Sequence, residues 1–420
     1  MDKPFVNMIN LYIFDETSRA AVFGIGSYIR ELSAVLKDSK INVCIVHLRS
    51  QLPDVEHQID ENNIQHFHIP AAIIHNQSLD WNQQTQLYYQ NVVFLLQLQI
   101  VDKSSLIFHL NYNQCGKLAE ELKKVFDCKI ITSIHFLNWC MNLSGNISRF
   151  EKILFSGETD QHDEHKKTIV NSYLIEKKFF ETVDHIICLS EKTRQILEDI
   201  YMIKPEKINV IYNGLTDRVF IQNQQVLRQK YRIPDIPVIL FVGRMHDIKG
   251  LTYALRAFKI VLEQRPHCHL IIVGNGTFDS YLKECENIWM NVSWTGLIEK
   301  EKLYDLYSVA DMGIMPSFHE QCSYVAIEMM MHGIPLIAST TTGLKEMVND
   351  GKTGFHIPVI EYDDSVDIDI QLFAEKMLYL LQNHDERKYM GINARKRYEM
   401  IYSAEIFRKK MLDFYNSFNI

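Results

Sequence analysis

PSFHEQCSYVAIEMMMHGIPLIA, residues 316–338, leads out of a buried strand, through a polar loop and into an apolar helix. Met312 to Met315 is the strand, Pro316 ends it, and the loop carries Glu320 to Ser323, which stands where a helix N-cap belongs. Glu328 lies inside the helix among Val325, Ala326, Ile327 and Met329 to Met331, before Gly333 and Pro335 stop it and Leu336 to Ala338 begin another strand. A carboxylate on such a face is costly unless something pairs with it. Its partner is a ligand hydroxyl or amide, or else a backbone N–H or a neighbouring basic side chain. Strand, loop, helix, strand is one step of a doubly wound α/β domain, whose ligands bind beyond the carboxyl ends of the strands. Glu320 at the mouth of the strand and Glu328, about one and a half turns into the helix, can both face that crevice.

The same step recurs along the whole chain. At 420 residues the sequence is too long for one ordinary core and suits two domains of roughly 200 residues each. Hydrophobic residues at 47% and charged ones at 23% are those of a globular protein rather than a disordered one. A formal net charge of −8 argues against a general nucleic-acid binder. Eight cysteines are scattered without a CxxC or a Cys/His cluster of zinc spacing, as expected of free thiols in a reducing compartment. MDKPFVNMINLYIF lacks the pattern of a signal peptide, and no apolar run reaches the length of a membrane span. A cytoplasmic location is expected.

In the first domain, residues 1–213, Asn7 to Phe14 form a strand, and Gly24 and Gly26 stand in the loop before an amphipathic helix. That loop either brings N–H groups to an anion at the helix N-terminus or is a plain tight turn. Strands over 41–48, 65–69, 106–109 and 129–134 follow, and the last ends in His135, at a carboxyl end where a side chain points into the crevice or caps the next loop. Residues 141–167 are largely polar and read as an irregular lid or surface loop; His162, Asp163 and His165 there suit a solvated loop better than a metal. Asn213-Gly214 marks the domain boundary.

The second domain, residues 214–402, starts afresh with a strand over 238–242 and the loop Gly243-Arg244-Met245-His246-Asp247-Ile248-Lys249-Gly250, then a helix with apolar residues at 251, 254, 255, 258, 261 and 262. Arg244 and Lys249 thus reach a strand's carboxyl end beside a helix N-terminus, a good diphosphate site, although either cation alone reads as a surface charge. Turns at Gly274-Asn275-Gly276 and Thr295-Gly296-Leu297 close the next two strands. Residues 403–420 form a last helix with Phe407, Met411, Phe414, Tyr415 and Phe418 on one face. The reading finds no Asp-x-Asp metal motif at a strand end.

Pro316, Ser317, Glu320, Glu328, Gly333 and Pro335 together resemble the Pro-Ser-x-x-Glu, seven residues, Glu, Gly-x-Pro signature of retaining glycosyltransferases of family 4. Gln321-Cys322-Ser323 departs from the Gly-Phe-Gly that often follows the first Glu of that family. The resemblance implies the GT-B fold, two Rossmann-like doubly wound α/β domains facing a cleft, with the last helix returning to the first domain. It implies transfer from a nucleoside diphosphate sugar, a UDP-sugar favoured over a GDP-sugar, with no cofactor and no metal. Arg244 and Lys249 would hold the diphosphate, Glu328 the ribose hydroxyls and Glu320 the sugar hydroxyls, with His135 near the reacting carbon. Gly24, Gly26, Gly274, Gly296, Leu297 and the turn Gln321, Cys322, Ser323 and Tyr324 would line the donor. The acceptor is a glycan, lipid-linked sugar, small molecule or peptide, with peripheral contact at the inner face of a membrane left open. A nucleotide-sugar hydrolase or epimerase, or a non-catalytic sugar-nucleotide-binding subunit, would use the same nucleotide half.

Overall fold

Runs such as Leu106–Leu110 are apolar at almost every position because their strands are covered on both faces. The computed structural model describes residues 8–16, 24–71, 79–155, 163–219 and 223–418. The segment 17–23 before Gly24, and Ser156, Gly157 and Thr159 to His162, lie outside the described residues. The chain forms two units, one of residues 1–138, 160–212 and 407–420, the other of residues 139–159 and 213–406.

The first unit holds β1 (Ile9–Glu16), β2 (Ile41–Ser50), β3 (Glu56–Ile59), β4 (Gln65–Pro70), β5 (Leu106–Leu110), β6 (Lys129–Ile134), β7 (His185–Cys188) and β8 (Ile208–Val210). They make one sheet in the order β3-β4-β2-β1-β5-β6-β7-β8. Only the edge strand β3 pairs antiparallel. Phe407, Met411, Phe414 and Tyr415 of the last helix, Ala404–Asn416, are buried, and the Tyr415 hydroxyl meets His109 Nδ1 at 2.7 Å.

The second unit holds β9 (Val238–Val242), β10 (His269–Val273), β11 (Val292–Gly296), β12 (Met312–Met315), β13 (Leu336–Ser339) and β14 (Gly354–Ile357), all parallel, in the order β11-β10-β9-β12-β13-β14. A hairpin, β15 (Val359–Glu361) with β16 (Val366–Ile368), stands apart. Phe241, Leu255, Phe258, Ile272, Ile314, Phe373 and Met377 belong to the core beneath the sheet.

Two expectations are corrected. Residues 141–167 are not irregular where described: helices run Asn138–Asn142 and Ile147–Phe155, and Glu164–Thr182 starts at the Asp163 cap. Trp139 stacks on Phe150 at 4.4 Å, and the carboxylate of distant Glu361 accepts from Ile147 N at 3.3 Å and Ser148 N at 3.0 Å. A helix cap supplied by another hairpin leaves no local trace. Asp367 and Asp369 do form an Asp-x-Asp at the end of β16, but Asp369 caps the helix Ile370–Gln382 through Leu372 N.

Candidate functional site

Three loops meet at the carboxyl ends of β9, β10 and β12. Gly243 N donates to Val273 O at 2.9 Å, Met245 N to Asn275 O at 2.7 Å and Phe318 N to Ile248 O at 2.7 Å, tying the loop 243–250 to both neighbours. Gly250 has φ +68°, and a Cβ there would stand 2.0 Å from Pro316 O, so only glycine lets these loops close on each other. The loop Pro316–Ser323 is strapped from behind by the segment after β13. Thr341 Oγ1 donates to Phe318 O at 2.6 Å, Thr342 Oγ1 donates to Glu320 O, and Gly343 N reaches the same oxygen at 2.8 Å. The carbonyls of Phe318 and Glu320 are therefore both held from behind.

On this frame Lys249 Nζ is paired with the Glu320 carboxylate, which also accepts from Ser317 Oγ at 3.2 Å. Arg244 is half-buried; burial lowers its pKa from the ordinary guanidinium value, and the Glu320 charge opposes that shift. A carboxylate and two cations thus converge at the ends of two adjacent strands. Ser323 Oγ accepts from Ala326 N at 3.4 Å and caps the helix Tyr324–Met331. Inside that helix Glu328 is only 3% exposed, paired with Lys300 Nζ and accepting from the Tyr307 hydroxyl at 2.9 Å. Its partners include the basic side chain that the sequence left as one alternative. Burial and then the Glu328 charge push the Tyr307 hydroxyl far above the ordinary phenol range, so it stays a donor. Gln321 and Cys322 are buried under the strap and Tyr324 opens the helix. Gly274 N donates to Gly296 O at 3.0 Å, which sets the two outer turns side by side, and Leu297 is 77% exposed beyond them.

The first unit places its candidates on a different kind of support. Gly24 has φ +70° at the start of the helix Ile25–Leu36, whose first turn contains Gly26, carries no acidic residue and has no side-chain cap. Four residues on, Tyr28 packs edge-on against the His135 ring at 4.8 Å. Asn111 Nδ2 donates to Phe14 O at 3.1 Å, which turns Asn111 Oδ1 toward His135 Nε2 at 3.0 Å. The ring proton therefore sits on Nε2, leaving Nδ1 an acceptor. Burial lowers the His135 pKa to about 3, so the ring is neutral at physiological pH. The turn after it is fixed by Asn113, which donates to Phe136 O at 2.6 Å, and by Glu176, which accepts from Asn113 and Asn138 N at 2.8 Å each and from the Tyr201 hydroxyl at 2.6 Å. Burial pushes Glu176 up to about 7.

The structure thus gathers Arg244, Lys249 and Glu320, with Gly274, Gly296 and Leu297 on turns of the same sheet, and gives Glu328 its own pair of partners. Sequence reasoning missed Lys300, Tyr307, Thr342, Asn111 and Glu176. Only Lys300, on the first turn of a helix that follows the Gly296 turn, carried a signal: a cation at the carboxyl side of a parallel sheet.

Residues 223–397 match the family described as Glycosyl transferases group 1, and residues 22–218 match Glycosyltransferase Family 4. The capsular polysaccharide biosynthesis glycosyltransferase CapM of Staphylococcus aureus is 26% identical over 254 residues, 59% of this chain and 65% of that protein, so the match spans just under two thirds of that relative. A sucrose-phosphate synthase from Thermosynechococcus elongatus superposes with a TM-score of 0.77 at 20% identity, over 97% of this chain and 98% of that one. The Anabaena protein HepE, in a crystal structure with UDP-glucose, gives a TM-score of 0.72 at 13% identity over 98% of this chain and 100% of that one. The two family matches together cover most of the sequence, and the solved structures share its architecture: the chain belongs to glycosyltransferase family 4 and has the GT-B fold.

Proposed function

We propose that the chain is a retaining glycosyltransferase that moves a sugar from a nucleoside diphosphate sugar to an acceptor hydroxyl. The observation that carries this is the Lys249–Glu320 pair beside Arg244, on a strapped loop at the carboxyl ends of β9 and β12. An arriving diphosphate takes Glu320's place as the partner of Lys249, and Arg244 adds a second cation. Both neutralise the charge that grows on the phosphate oxygen as its bond to the anomeric carbon breaks, which is the work a metal ion does in other phosphate sites. Glu320, released, accepts hydroxyls of the sugar. The acceptor attacks from the face the diphosphate leaves, its proton passes to the departing phosphate oxygen, and the anomeric configuration is kept. Glu328, set between Lys300 and Tyr307, accepts the ribose hydroxyls. His135 offers an acceptor nitrogen on a neutral ring, and its place near the reacting carbon rests on the family resemblance.

The UDP-glucose complex of HepE supports a nucleotide-sugar donor and favours uridine over guanosine. All eight cysteines are free thiols, which supports a cytoplasmic setting. No helix among the described residues is long and apolar enough to cross a membrane. Contact with the inner face of a membrane belongs to the choice of acceptor.

Release of nucleotide from donor alone, compared with donor plus a mixture of glycan and lipid-linked acceptors, tests the reading. A transferase releases nucleotide at full rate only with acceptor present. Full-rate release or epimerised sugar from donor alone overturns it in favour of a hydrolase or epimerase; nucleotide binding without turnover overturns it in favour of a binding subunit. An inverted anomeric centre in the product would refute the front-face step.

A further inference from the structure

Away from the loops described above, the first unit brings three histidines from two strands onto one face. In the paired register Asp15 of β1 stands beside His47 of β2, and His47 beside His68 of β4; His66, two residues earlier on β4, shares the face of His68. One ring nitrogen of each histidine lies within 4.8 Å of the others. His47 Nε2 is 2.9 Å from His66 Nδ1. The outer atoms have their own neighbours: His47 Nδ1 is 3.1 Å from Asp15 Oδ2, His66 Nε2 is 3.6 Å from Asp60 Oδ2, and His68 Nδ1 is 3.4 Å from Ser50 Oγ.

Counting protons exposes a mismatch. Asp15 calls for the proton of His47 on Nδ1, and Asp60 calls for that of His66 on Nε2, because a carboxylate only accepts. Two lone pairs then face each other across 2.9 Å. Moving the His66 proton inward relieves that clash but leaves buried Nε2 with a lone pair aimed at Asp60 and no donor. No arrangement of two neutral rings satisfies all four nitrogens. A cation between the rings does, and two carboxylates stand behind them to balance a double charge. A shared proton would engage only His47 and His66, whereas the third ring, stacked on His47 with centroids 4.3 Å apart, has a lone pair to give to a metal. Carboxylates behind imidazoles are the usual outer support of a metal site.

We propose that His47, His66 and His68 bind a divalent transition-metal ion of the zinc class, oriented by Asp15 and Asp60. Nitrogens of a tetrahedral zinc site lie about 3.3 Å apart, given Zn–N distances near 2 Å. The His47–His66 gap therefore opens by a few tenths of an ångström, and His68 turns out of its stack. The ion joins β2 to β4 and holds Asp15 at the carboxyl end of β1. The transfer proposed for Arg244 and Lys249 does not call on it.

The test uses the full chain, tag-free and stripped of metal by a chelator, titrated with zinc chloride by calorimetry and followed by thermal unfolding. Uptake of one ion per chain with a raised Tm is expected. Cobalt in its place should give the visible bands of a tetrahedral site without sulfur charge transfer. Asp15→Asn should weaken binding about 10- to 100-fold, and the pair His47→Gln with His66→Gln should abolish it. No saturable uptake by the wild-type chain, as a proton-bridged pair would give, overturns the proposal, as does undiminished uptake by the double variant. Should that variant fail to fold, zinc-edge absorption of the loaded wild-type chain decides: imidazole ligands support the site and sulfur ligands overturn it.

Discussion

At the carboxyl ends of β9 and β12 the polar groups are charged and paired, Lys249 with Glu320 and Arg244 beside them. At the carboxyl end of β6 they are buried and joined by hydrogen bonds rather than ion pairs: a neutral His135 lowered to about 3, the amides of Asn111 and Asn113, and a Glu176 raised to about 7. The contrast is one of exchangeability. A salt bridge at a loop tip gives up its partner to a phosphate at small cost, because one charge-assisted contact replaces another. A buried network of hydrogen bonds without a countercharge has no such substitute, and breaking it leaves unsatisfied groups behind. On the proposed function, the second unit re-pairs when a donor arrives, while the first keeps its shape.

The largest effect expected from that contrast is at Glu320. Glu320→Ala should lower the initial rate of transfer by about 10²- to 10³-fold, the range seen when one preorganised transition-state contact is lost, while nucleotide Kd, read by calorimetry, stays within a few-fold. An unchanged rate would remove Glu320 from the site. Next comes Glu176. Its folded pKa of about 7 lies above its unfolded value, so its contribution is fully present below about pH 4.5 and is lost as pH rises through 7. At 1.36 kcal/mol per unit this amounts to about 3 kcal/mol. Urea unfolding of the wild-type chain, measured against Glu176→Gln, should show the wild type losing its advantage over that window; a pH-independent difference would contradict the burial account.

A smaller change is expected at Glu328. Glu328→Gln keeps the shape but removes the charge between Lys300 and Tyr307, and KM for the donor should rise about tenfold, near 1.4 kcal/mol and close to the lower end of the range for a hydrogen bond to a charged group, with kcat little changed. A fall in kcat at constant KM would move Glu328 from ribose binding to the chemistry. The smallest effect is an absence. Because His135 is neutral at physiological pH, His135→Gln should lower the rate without changing the shape of the pH–rate profile around the ordinary histidine value of about 6.5. A limb near that value that disappears in the variant would show His135 titrating.

The second unit was the more legible in the sequence for the same reason that it is exchangeable. Arg244 and Lys249 lie on one short loop between a strand and a helix, and Glu320 and Glu328 on one loop–helix step, so spacing put the first three near strand ends and Glu328 inside the following helix, and the family resemblance supplied their roles. What escaped were partners supplied across long separations. Lys300 reaches Glu328 from 28 residues away, and Glu361 caps a helix at Ile147 from the far side of the chain. The neutral network around His135 depends on how Asn111 is turned, which Phe14 O decides and no pattern shows. His66 and His68 alternate visibly on one strand, but His47 joins them only through the register of β2 with β4.

The most direct test of the central claim is thermal unfolding of the wild-type chain and of an Arg244→Ala/Lys249→Ala pair against a panel of nucleoside diphosphate sugars. A ligand held at 100 times its Kd adds about 2.7 kcal/mol of stability, so one donor should raise the wild-type Tm by several degrees and leave the double variant unmoved. A panel with no effect on the wild type, or an equal shift in both proteins, would contradict a diphosphate gripped by these two cations.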